Sequence, residues 1–448
     1  MQSEALTVRR EVYIPAVRFE GMDEARLFYY TGHDSLELAE ERNISAYSDV
    51  PGRSWRRVSP DNGRTWGEWE DLTGTLYTHF GDDEMFSWRY QKPVWNPVHR
   101  HYVGIDVNRL CIGGAIAAEN RYWQGDFFPE HTYMTITDED GNKTVQMIRY
   151  EDGPAYVPGG KEQEYAIEND CSCTYYTVLH NGDILLPLSL KLRQCCKLTG
   201  EDYHAWCPEI NGNHSGLLVA RGVFNRETGH YDFTFSRPVM LSTIFNSRGI
   251  LETTVAELEN GRIVIVFRGS NGVFGGWHSV IEPHMPPVKW YTFSDDGGKT
   301  FTSPMPWHFD TREFIYSSST LSSFIRSEKN GRLYWLGNIT GPDAEYNYPR
   351  YPLYLCEVDE RYGVPIKDTL TVVDTRREGE SDRLQLSNFG IYQDRETGDI
   401  VLTRMKYDCY KGVENAPEQI TAVGEKTVHG GVWRYTVTVP DGARAYHA

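Results

Sequence analysis

A glycine-containing turn followed by a short apolar strand recurs four times along the chain. The copies read NGDILLPLSL (181–190), NGRIVIVFR (260–268), NGRLYWLGN (330–338) and TGDIVLTRM (397–405), at intervals of about 65 to 80 residues. Long helical periodicity is absent, and only the region Ser35–Arg42 resembles a short helix. Regular hairpins with few helices indicate an all-β sandwich, barrel or propeller. A repeat of this length suits a four-stranded propeller blade with insertions, and 448 residues would hold six.

A second repeat has the form S-x-D-x-G-x-T followed by an aromatic residue. It occurs as Ser59–Trp66 and as Ser294–Phe301, and a decayed copy is Asp138–Thr144. We expect a self-contained hairpin turn in which the aspartate caps backbone amides and the glycine takes a positive φ. The threonine hydroxyl and the aromatic ring would fasten the turn to its blade. This repeat therefore predicts structure, and we place no catalysis in it.

Composition and charge exclude several classes of partner. The net charge of −18 argues against nucleic acid or an anionic membrane, because either would need a basic face. Neither an N-terminal apolar leader nor an 18-residue apolar span is found, so we expect a cytoplasmic protein, or a secreted one if a leader has been removed. The eight cysteines suggest reduced thiols, since Cys171/Cys173 and Cys195/Cys196 are too close together for a disulfide framework. The sequence implies no cofactor and no metal, and it leaves the oligomeric state open.

The segment Leu251–Arg268, LETTVAELENGRIVIVFR, is the most informative stretch for function. It predicts two antiparallel strands joined by the tight turn Glu259-Asn260-Gly261. Such a hairpin brings its two ends to the same edge of the sheet, so Glu252 and Arg268 should share one rim. By itself this pair fits a surface salt bridge as well as a functional site.

Together these motifs resemble the sialidase (neuraminidase) superfamily of Asp-box, or BNR-repeat, β-propellers over most of the chain. The resemblance implies one domain, residues 1–448, made of six four-stranded blades with inter-blade loop insertions and a central funnel for the active site. The last strand, GGVWRYTVTV (430–439), would join the N-terminal strand and close the ring, which removes free sheet edges.

The resemblance also assigns roles to individual residues. Members of the family hold the substrate carboxylate with three arginines and use a tyrosine nucleophile, a glutamate base and an aspartate acid. Glu252 resembles the base, and Arg268, sixteen residues later, resembles the second arginine. Arg350, in YPRYPLY, resembles the third arginine. Arginine suits this task because its planar fork binds a carboxylate bidentately and keeps its proton.

Two positions depart from the family pattern. Tyr13, in Tyr13-Ile14-Pro15, stands where the first arginine belongs, and neither Arg10 nor Arg18 has the right spacing to replace it. Leu386, in the segment LSNF (386–389), stands at the place of the nucleophilic tyrosine. These departures argue against ordinary sialic acid hydrolysis. Tyr316 and Tyr13 are alternative tyrosines for the funnel, although a packing role is more common for each.

The catalytic acid has two candidates that the sequence does not separate. Asp34 follows an apolar strand and has His33 beside it, as a further substrate-binding candidate. Asp49 has roughly the family's spacing to the first Ser-x-Asp box. Either carboxylate on its own also fits an ordinary turn.

The sequence therefore predicts an exo-acting glycoside hydrolase-like propeller for an acidic or polar terminal sugar, with Glu252 and one aspartate as the paired carboxylates. One alternative is a lyase acting on uronic acids, which would use a histidine or tyrosine base and would need no tyrosine nucleophile. The histidines available for it lie in turns and insertions: His99, His101, His131, His204 and His214. The other alternative is a propeller that binds carbohydrate without catalysis.

Overall fold

The computed structural model describes residues 6–15, 23–47, 50–80, 84–112, 130–151, 171–208, 214–271, 285–409 and 430–442. These residues divide into two compact units. Unit 1 comprises Met1–Gly74 and Trp307–Ala448, and unit 2 comprises Thr75–Pro306. The expectation of a single domain stays a prediction.

Unit 1 contains three antiparallel sheets. Its strands, numbered in chain order, are β1 (Thr7–Ile14), β2 (Asp23–Tyr30), β3 (Leu38–Tyr47), β4 (Val50–Ser59), β5 (Glu70–Asp71), β21 (Ser322–Arg326), β22 (Leu333–Asn338), β23 (Leu353–Asp359), β24 (Val364–Pro365), β25 (Thr371–Asp374), β26 (Gly390–Gln393), β27 (Ile400–Met405) and β28 (Val432–Thr438). The sheet orders are β2-β3-β4-β5, β21-β22-β23-β24 with β25 also on β23, and β1-β28-β27-β26.

Unit 2 likewise contains three antiparallel sheets. Its strands are β6 (Tyr77–His79), β7 (Glu84–Tyr90), β8 (Val94–Asn96), β9 (His101–Ile112), β10 (Glu130–Thr137), β11 (Lys143–Met147), β12 (Cys171–Cys173), β13 (Thr177–Val178), β14 (Ile184–Lys191), β15 (Ser215–Asn225), β16 (His230–Phe235), β17 (Thr254–Glu257), β18 (Ile263–Phe267), β19 (Trp290–Ser294) and β20 (Met305–Pro306). The orders are β11-β10-β9-β7-β6 with β8 on β9, β12-β14-β15-β16 with β13 on β14, and β17-β18-β19-β20.

The six sheets are the blades of a six-bladed β-propeller, three in each unit, which confirms the predicted fold class. The predicted pairing of the terminal strands is also found, because β1 lies antiparallel to β28 from Thr7↔Thr438 to Ile14↔Val432. The blade at this point is therefore built from both ends of the chain. Loss of either end would expose an unpaired strand edge in its place.

Apolar side chains fill the spaces between neighbouring blades of each unit. In unit 2, Ile105 and Met134 of one sheet pack with Leu186 and Leu218 of the next. In unit 1, a comparable cluster joins two sheets, and its members include Leu336, Leu355, Leu386, Leu402 and Tyr435. Full burial of each such side chain contributes about 1.5–3 kcal/mol, so these contacts account for much of the stability of each unit.

The helix expected over Ser35–Arg42 is wrong, because Leu38 to Arg42 belong to strand β3. This strand is central in its sheet and pairs with β2 on one side and β4 on the other. Tertiary pairing therefore overrides the local helical pattern. In the described residues the α-helices are α1 (Leu192–Thr199) and α2 (Tyr203–Trp206), and 3₁₀ turns occur at Thr73–Leu76 and Lys367–Thr369.

Both well-preserved copies of the S-x-D-x-G-x-T repeat fold into the same turn. Asp61 accepts hydrogen bonds from Thr65 N and Thr65 Oγ1, each at 2.7 Å, and Ser59 Oγ accepts from Gly63 N at 2.7 Å. Asp296 makes the equivalent bonds in the second copy, with its threonine at 3.0 and 2.6 Å. Gly63 has φ of 84°, where a side chain would be strained. The side chains of the repeat thus accept the hydrogen bonds of the backbone N–H groups in its own turn.

The donors around Asp61 make its contribution to stability depend on pH. The hydrogen bonds from Thr65 lower the pKa of Asp61 from 3.8 to about 2. A carboxyl group with a depressed folded-state pKa stabilises the fold above its unfolded pKa, and this contribution is lost as the pH falls through the folded value. We expect the difference in Tm between the wild type and Asp61→Asn to be constant near neutral pH and to shrink between pH 3.8 and about 2. Thr65→Val removes one hydrogen-bond donor to Asp61, so its Tm near neutral pH should lie between those of the wild type and Asp61→Asn. A difference in Tm that does not change with pH would contradict this account.

Candidate functional site

The predicted hairpin is present in unit 2 and carries Glu252 and Arg268 at one edge. Strands β17 and β18 pair antiparallel from Thr254↔Val266 to Glu257↔Ile263, and Gly261 in the connecting turn has φ of 82°. Glu252 lies two residues before β17, and Arg268 directly follows β18. The register therefore brings the two side chains together, as the sequence predicts.

Glu252 and Arg268 form an ion pair that leaves several polar atoms unused. Arg268 Nη1 donates a hydrogen bond to Glu252 Oε1. The arginine side chain is 7% exposed, whereas that of the glutamate is 28% exposed. Within the described residues, Glu252 Oε2, Arg268 Nε and Thr253 Oγ1 are buried and have no hydrogen-bond partner. Three unsatisfied polar groups at one place are costly in a packed protein, and they are what a polar ligand would satisfy.

The backbone that carries Glu252 is in a sparsely populated conformation. Its φ is 52°, which is uncommon for a residue other than glycine. The preceding Gly249 has φ of 72°, and a Cβ atom there would lie 2.2 Å from Ser215 O. Ile250 N also donates to Ser215 O at 2.7 Å. The loop is therefore pressed onto β15, and this contact holds the strained glutamate in place.

Tyr175, which the sequence did not single out, lies near Glu252 in the same unit. Burial and then the negative charge of Glu252 raise the pKa of the Tyr175 hydroxyl, so the phenol stays protonated. Within the described residues, no hydrogen bond to this hydroxyl is found. No sequence pattern points to Tyr175, because its position depends on how two neighbouring blades pack together.

Arg350 lies in unit 1, where neutral oxygens hold its guanidinium group. Nη1 donates to Gln385 Oε1 at 3.0 Å and to Ser387 Oγ at 3.2 Å. Nε donates to Asn347 O at 3.1 Å, and Nη2 donates to Ser319 O at 3.5 Å. These bonds to neutral oxygens orient the guanidinium group of Arg350.

The segment that resembles the family's nucleophile region lies against Arg350. Leu386 N donates to Arg350 O at 3.1 Å, and Ser387 contacts the guanidinium group. Leu386 itself is fully buried in the apolar core of unit 1. The leucine at the tyrosine position therefore contributes to packing, and it offers no reactive group.

Tyr13 belongs to a buried ionic network of unit 1. Its hydroxyl donates to Glu40 Oε2 at 2.9 Å and accepts from Arg57 Nη2 at 3.1 Å. Glu40 also accepts from Arg26 at 2.7 Å, and Arg26 in turn binds Glu24 at 2.6 Å. Burial, followed by the charge of Glu40, raises the pKa of Tyr13 to about 12. These contacts favour a structural role for Tyr13 over substrate binding.

His33 and Asp34 lie in the turn between β2 and β3. His33 Nε2 and Asp34 Oδ2 are 2.6 Å apart, and the aspartate side chain is 84% exposed. The Ser59–Trp66 box lies at the same end of this blade as the turn, since Tyr30 Oη donates a hydrogen bond to Asn62 at 2.6 Å. In its own blade, Glu252 lies at the end of the strands that is farther from the Ser294–Phe301 box. Asp34 therefore stays a candidate acid that the structure does not test.

The remaining candidates have less structural support. Tyr316 lies in the loop before β21, and its carbonyl oxygen accepts from Thr340 N at 2.9 Å. Asp49 and Arg18 lie outside the described residues. Arg10 donates to Val373 O at 2.7 Å, which ties β1 to a neighbouring sheet of unit 1.

Three of the histidines are engaged in packing or internal hydrogen bonds. His101 Nε2 is 2.8 Å from Tyr231 Oη, and His214 lies between Cys207 Sγ at 3.4 Å and Ser247 O at 3.0 Å. Burial lowers the pKa values of His101 and His131 to about 4, so both are neutral at neutral pH. In the described part of the chain, no group of three potential ligands that could hold a metal ion is found. No helix among those residues is long and apolar enough to span a membrane.

Comparisons with known proteins support the fold. No protein-family profile matches the chain, and no curated protein matches its sequence. A protein of unknown function from Dyadobacter fermentans superposes with a TM-score of 0.54 at 14% identity, over 97% of this chain and 99% of the other. NanB, solved with optactamide, gives 0.52 at 10% identity, over 95% and 70%. An intramolecular trans-sialidase from Ruminococcus gnavus, solved with oseltamivir carboxylate, gives 0.47 at 10% identity, over 94% and 96%, which is too weak to carry an argument.

The two likenesses with TM-scores above 0.5 support the β-propeller fold of this chain. At 10% to 14% identity they do not extend to substrate or mechanism. Any assignment of function therefore depends on the side chains of this chain itself.

Proposed function

We propose that the protein is a glycoside hydrolase that removes a terminal acidic or polar sugar from an oligosaccharide. The observation that carries the proposal is the Glu252–Arg268 pair with its unused polar atoms. A carboxylate whose second oxygen has no protein partner can act on a ligand, while the buried arginine keeps that carboxylate oriented.

Each residue has a role in this proposal. Glu252 is one carboxylate of a catalytic pair, and Oε2 is the oxygen that meets the substrate. Asp34 and Asp49 stay the candidates for the second carboxylate. Arg268, through Nε, orients an anionic or polar group of the sugar, and Arg350 stays a candidate substrate-binding residue without an assigned contact. Tyr316 stays a candidate without an assigned step.

A panel of para-nitrophenyl glycosides that includes uronides and sialosides tests the proposal. We expect release of nitrophenol from at least one acidic or strongly polar glycoside, and little release from neutral deoxy sugars. A product with the ultraviolet absorbance of an unsaturated uronate would show elimination in place of hydrolysis. Sugar binding in a thermal-shift assay without any product would identify a non-catalytic binding propeller. Either result would contradict the hydrolase proposal.

A further inference from the structure

Tyr175 and Glu252 occupy matching positions on two inner segments that lie side by side in unit 2. Tyr175 lies two residues before β13, and Glu252 lies two residues before β17. Further along, His180 N donates to Glu257 Oε2 at 2.6 Å, and His180 Nδ1 is 3.2 Å from the same oxygen. His180 is five residues after Tyr175, and Glu257 is five residues after Glu252. Strands β13 and β17 are therefore neighbours, and Tyr175 and Glu252 lie just before the start of each.

Electrostatics support this alignment independently. The charge of Glu252 contributes, after burial, to the raised pKa of the Tyr175 hydroxyl, so the two groups are near each other. They are nevertheless not hydrogen-bonded to each other, and Glu252 Oε2 has no partner within the described residues. A protonated phenol is a donor, and a carboxylate oxygen is an acceptor. An unused donor near an unused acceptor has the chemistry of a hydroxyl-binding site.

We propose that Tyr175 is a further substrate-binding residue, whose hydroxyl donates a hydrogen bond to a ring hydroxyl of the sugar while that same hydroxyl donates to Glu252 Oε2. A sugar hydroxyl can donate and accept at once, so one group of the ligand satisfies both protein atoms. This inference rests on the proposed function, since it assumes that the ligand of Glu252 is a sugar. It makes Tyr175 a determinant of specificity, because a sugar that lacks this hydroxyl leaves both Glu252 Oε2 and the Tyr175 hydroxyl without a partner.

The test compares Tyr175→Phe with a matched control at the next residue. Tyr176 Oη donates to Val103 O at 2.7 Å and to Lys92 O at 3.1 Å, so its hydroxyl is bound to the protein. For the para-nitrophenyl glycoside that the wild type hydrolyses best, we expect Tyr175→Phe to raise KM about tenfold with a smaller change in kcat. Its Tm should stay at the wild-type value. Tyr176→Phe should do the reverse, lowering Tm and leaving KM unchanged.

A second measurement uses deoxy versions of the same glycoside. The wild type should discriminate about tenfold against the analogue that lacks the recognised hydroxyl, and Tyr175→Phe should lose most of this discrimination. Unchanged discrimination, an unchanged KM, or a loss confined to kcat would overturn the proposal. If the wild type turns over no glycoside, the same sugars are tested by thermal shift, where Tyr175→Phe should reduce the stabilisation. A wild type that neither binds nor hydrolyses any sugar overturns the proposed function itself, whereas active wild type with an equally active Tyr175→Phe variant overturns only this inference.

Discussion

Replacing Glu252 with glutamine is expected to lower kcat by about 10²–10⁴-fold on any glycoside that the wild type hydrolyses. Glutamine has nearly the same shape and keeps an oxygen that can accept the hydrogen bond from Arg268, so the hairpin should fold as before. It cannot take up a proton or carry a negative charge at Oε2. The loss should therefore appear in kcat rather than in KM or Tm.

Glu259→Gln is the matched control for this experiment. Glu259 lies in the exposed turn at the other end of the same hairpin, seven residues from Glu252. The Glu259→Gln substitution should leave kcat, KM and Tm close to the wild-type values. If Glu252→Gln retains most of the wild-type kcat, or if Glu252→Gln and Glu259→Gln lower kcat by the same factor, Glu252 does not take part in catalysis.

Replacing Glu40 with alanine is expected to destabilise the protein by about 3–5 kcal/mol, the largest effect on folding that we predict. Glu40 is completely buried and accepts hydrogen bonds from Tyr13, Arg26 and Arg57. Arg26 is itself only 6% exposed, so loss of Glu40 removes one of its two carboxylate partners without letting water replace it. The midpoint of urea unfolding, followed by tryptophan fluorescence, measures the loss.

Glu70→Ala provides the comparison within the same blade. Glu70 pairs with Arg56 at 2.8 Å, but both side chains are well exposed to solvent. Exposed ion pairs contribute at most about 1 kcal/mol, so this variant should unfold close to the wild type. Similar losses for the two variants would mean that the network around Glu40 does not stabilise unit 1 in the way that its burial implies.

The fold was accessible from the sequence because its signals are local and repeated. The glycine turns, the S-x-D-x-G-x-T boxes and the alternating strands each depend on a few neighbouring residues, and copies of them recur along the chain. The Glu252–Arg268 pair was equally accessible, since a tight turn determines the register of a hairpin. The helix expected at Ser35–Arg42 failed because that segment is stabilised by strands on both sides, which a local pattern does not report.

The rest of the site depends on contacts between residues that are distant in sequence. Tyr13 looked like a substitute for a missing arginine, but its hydroxyl is engaged by Glu40 and by Arg57, which is 44 residues away. Tyr175 is 77 residues from Glu252, and only the alignment of β13 with β17 makes it relevant. The spacing of residues along the sequence predicts neither of these contacts, because each one forms between two blades that pack against each other.

A crystal structure of the wild-type protein soaked with the monosaccharide released in the glycoside panel tests the central claim most directly. We expect the sugar to place one hydroxyl within about 3.2 Å of both Glu252 Oε2 and Tyr175 Oη, with Arg268 beside its acidic or polar substituent. A sugar bound elsewhere on the protein, with Glu252 and Tyr175 making no contact to it, would contradict the account.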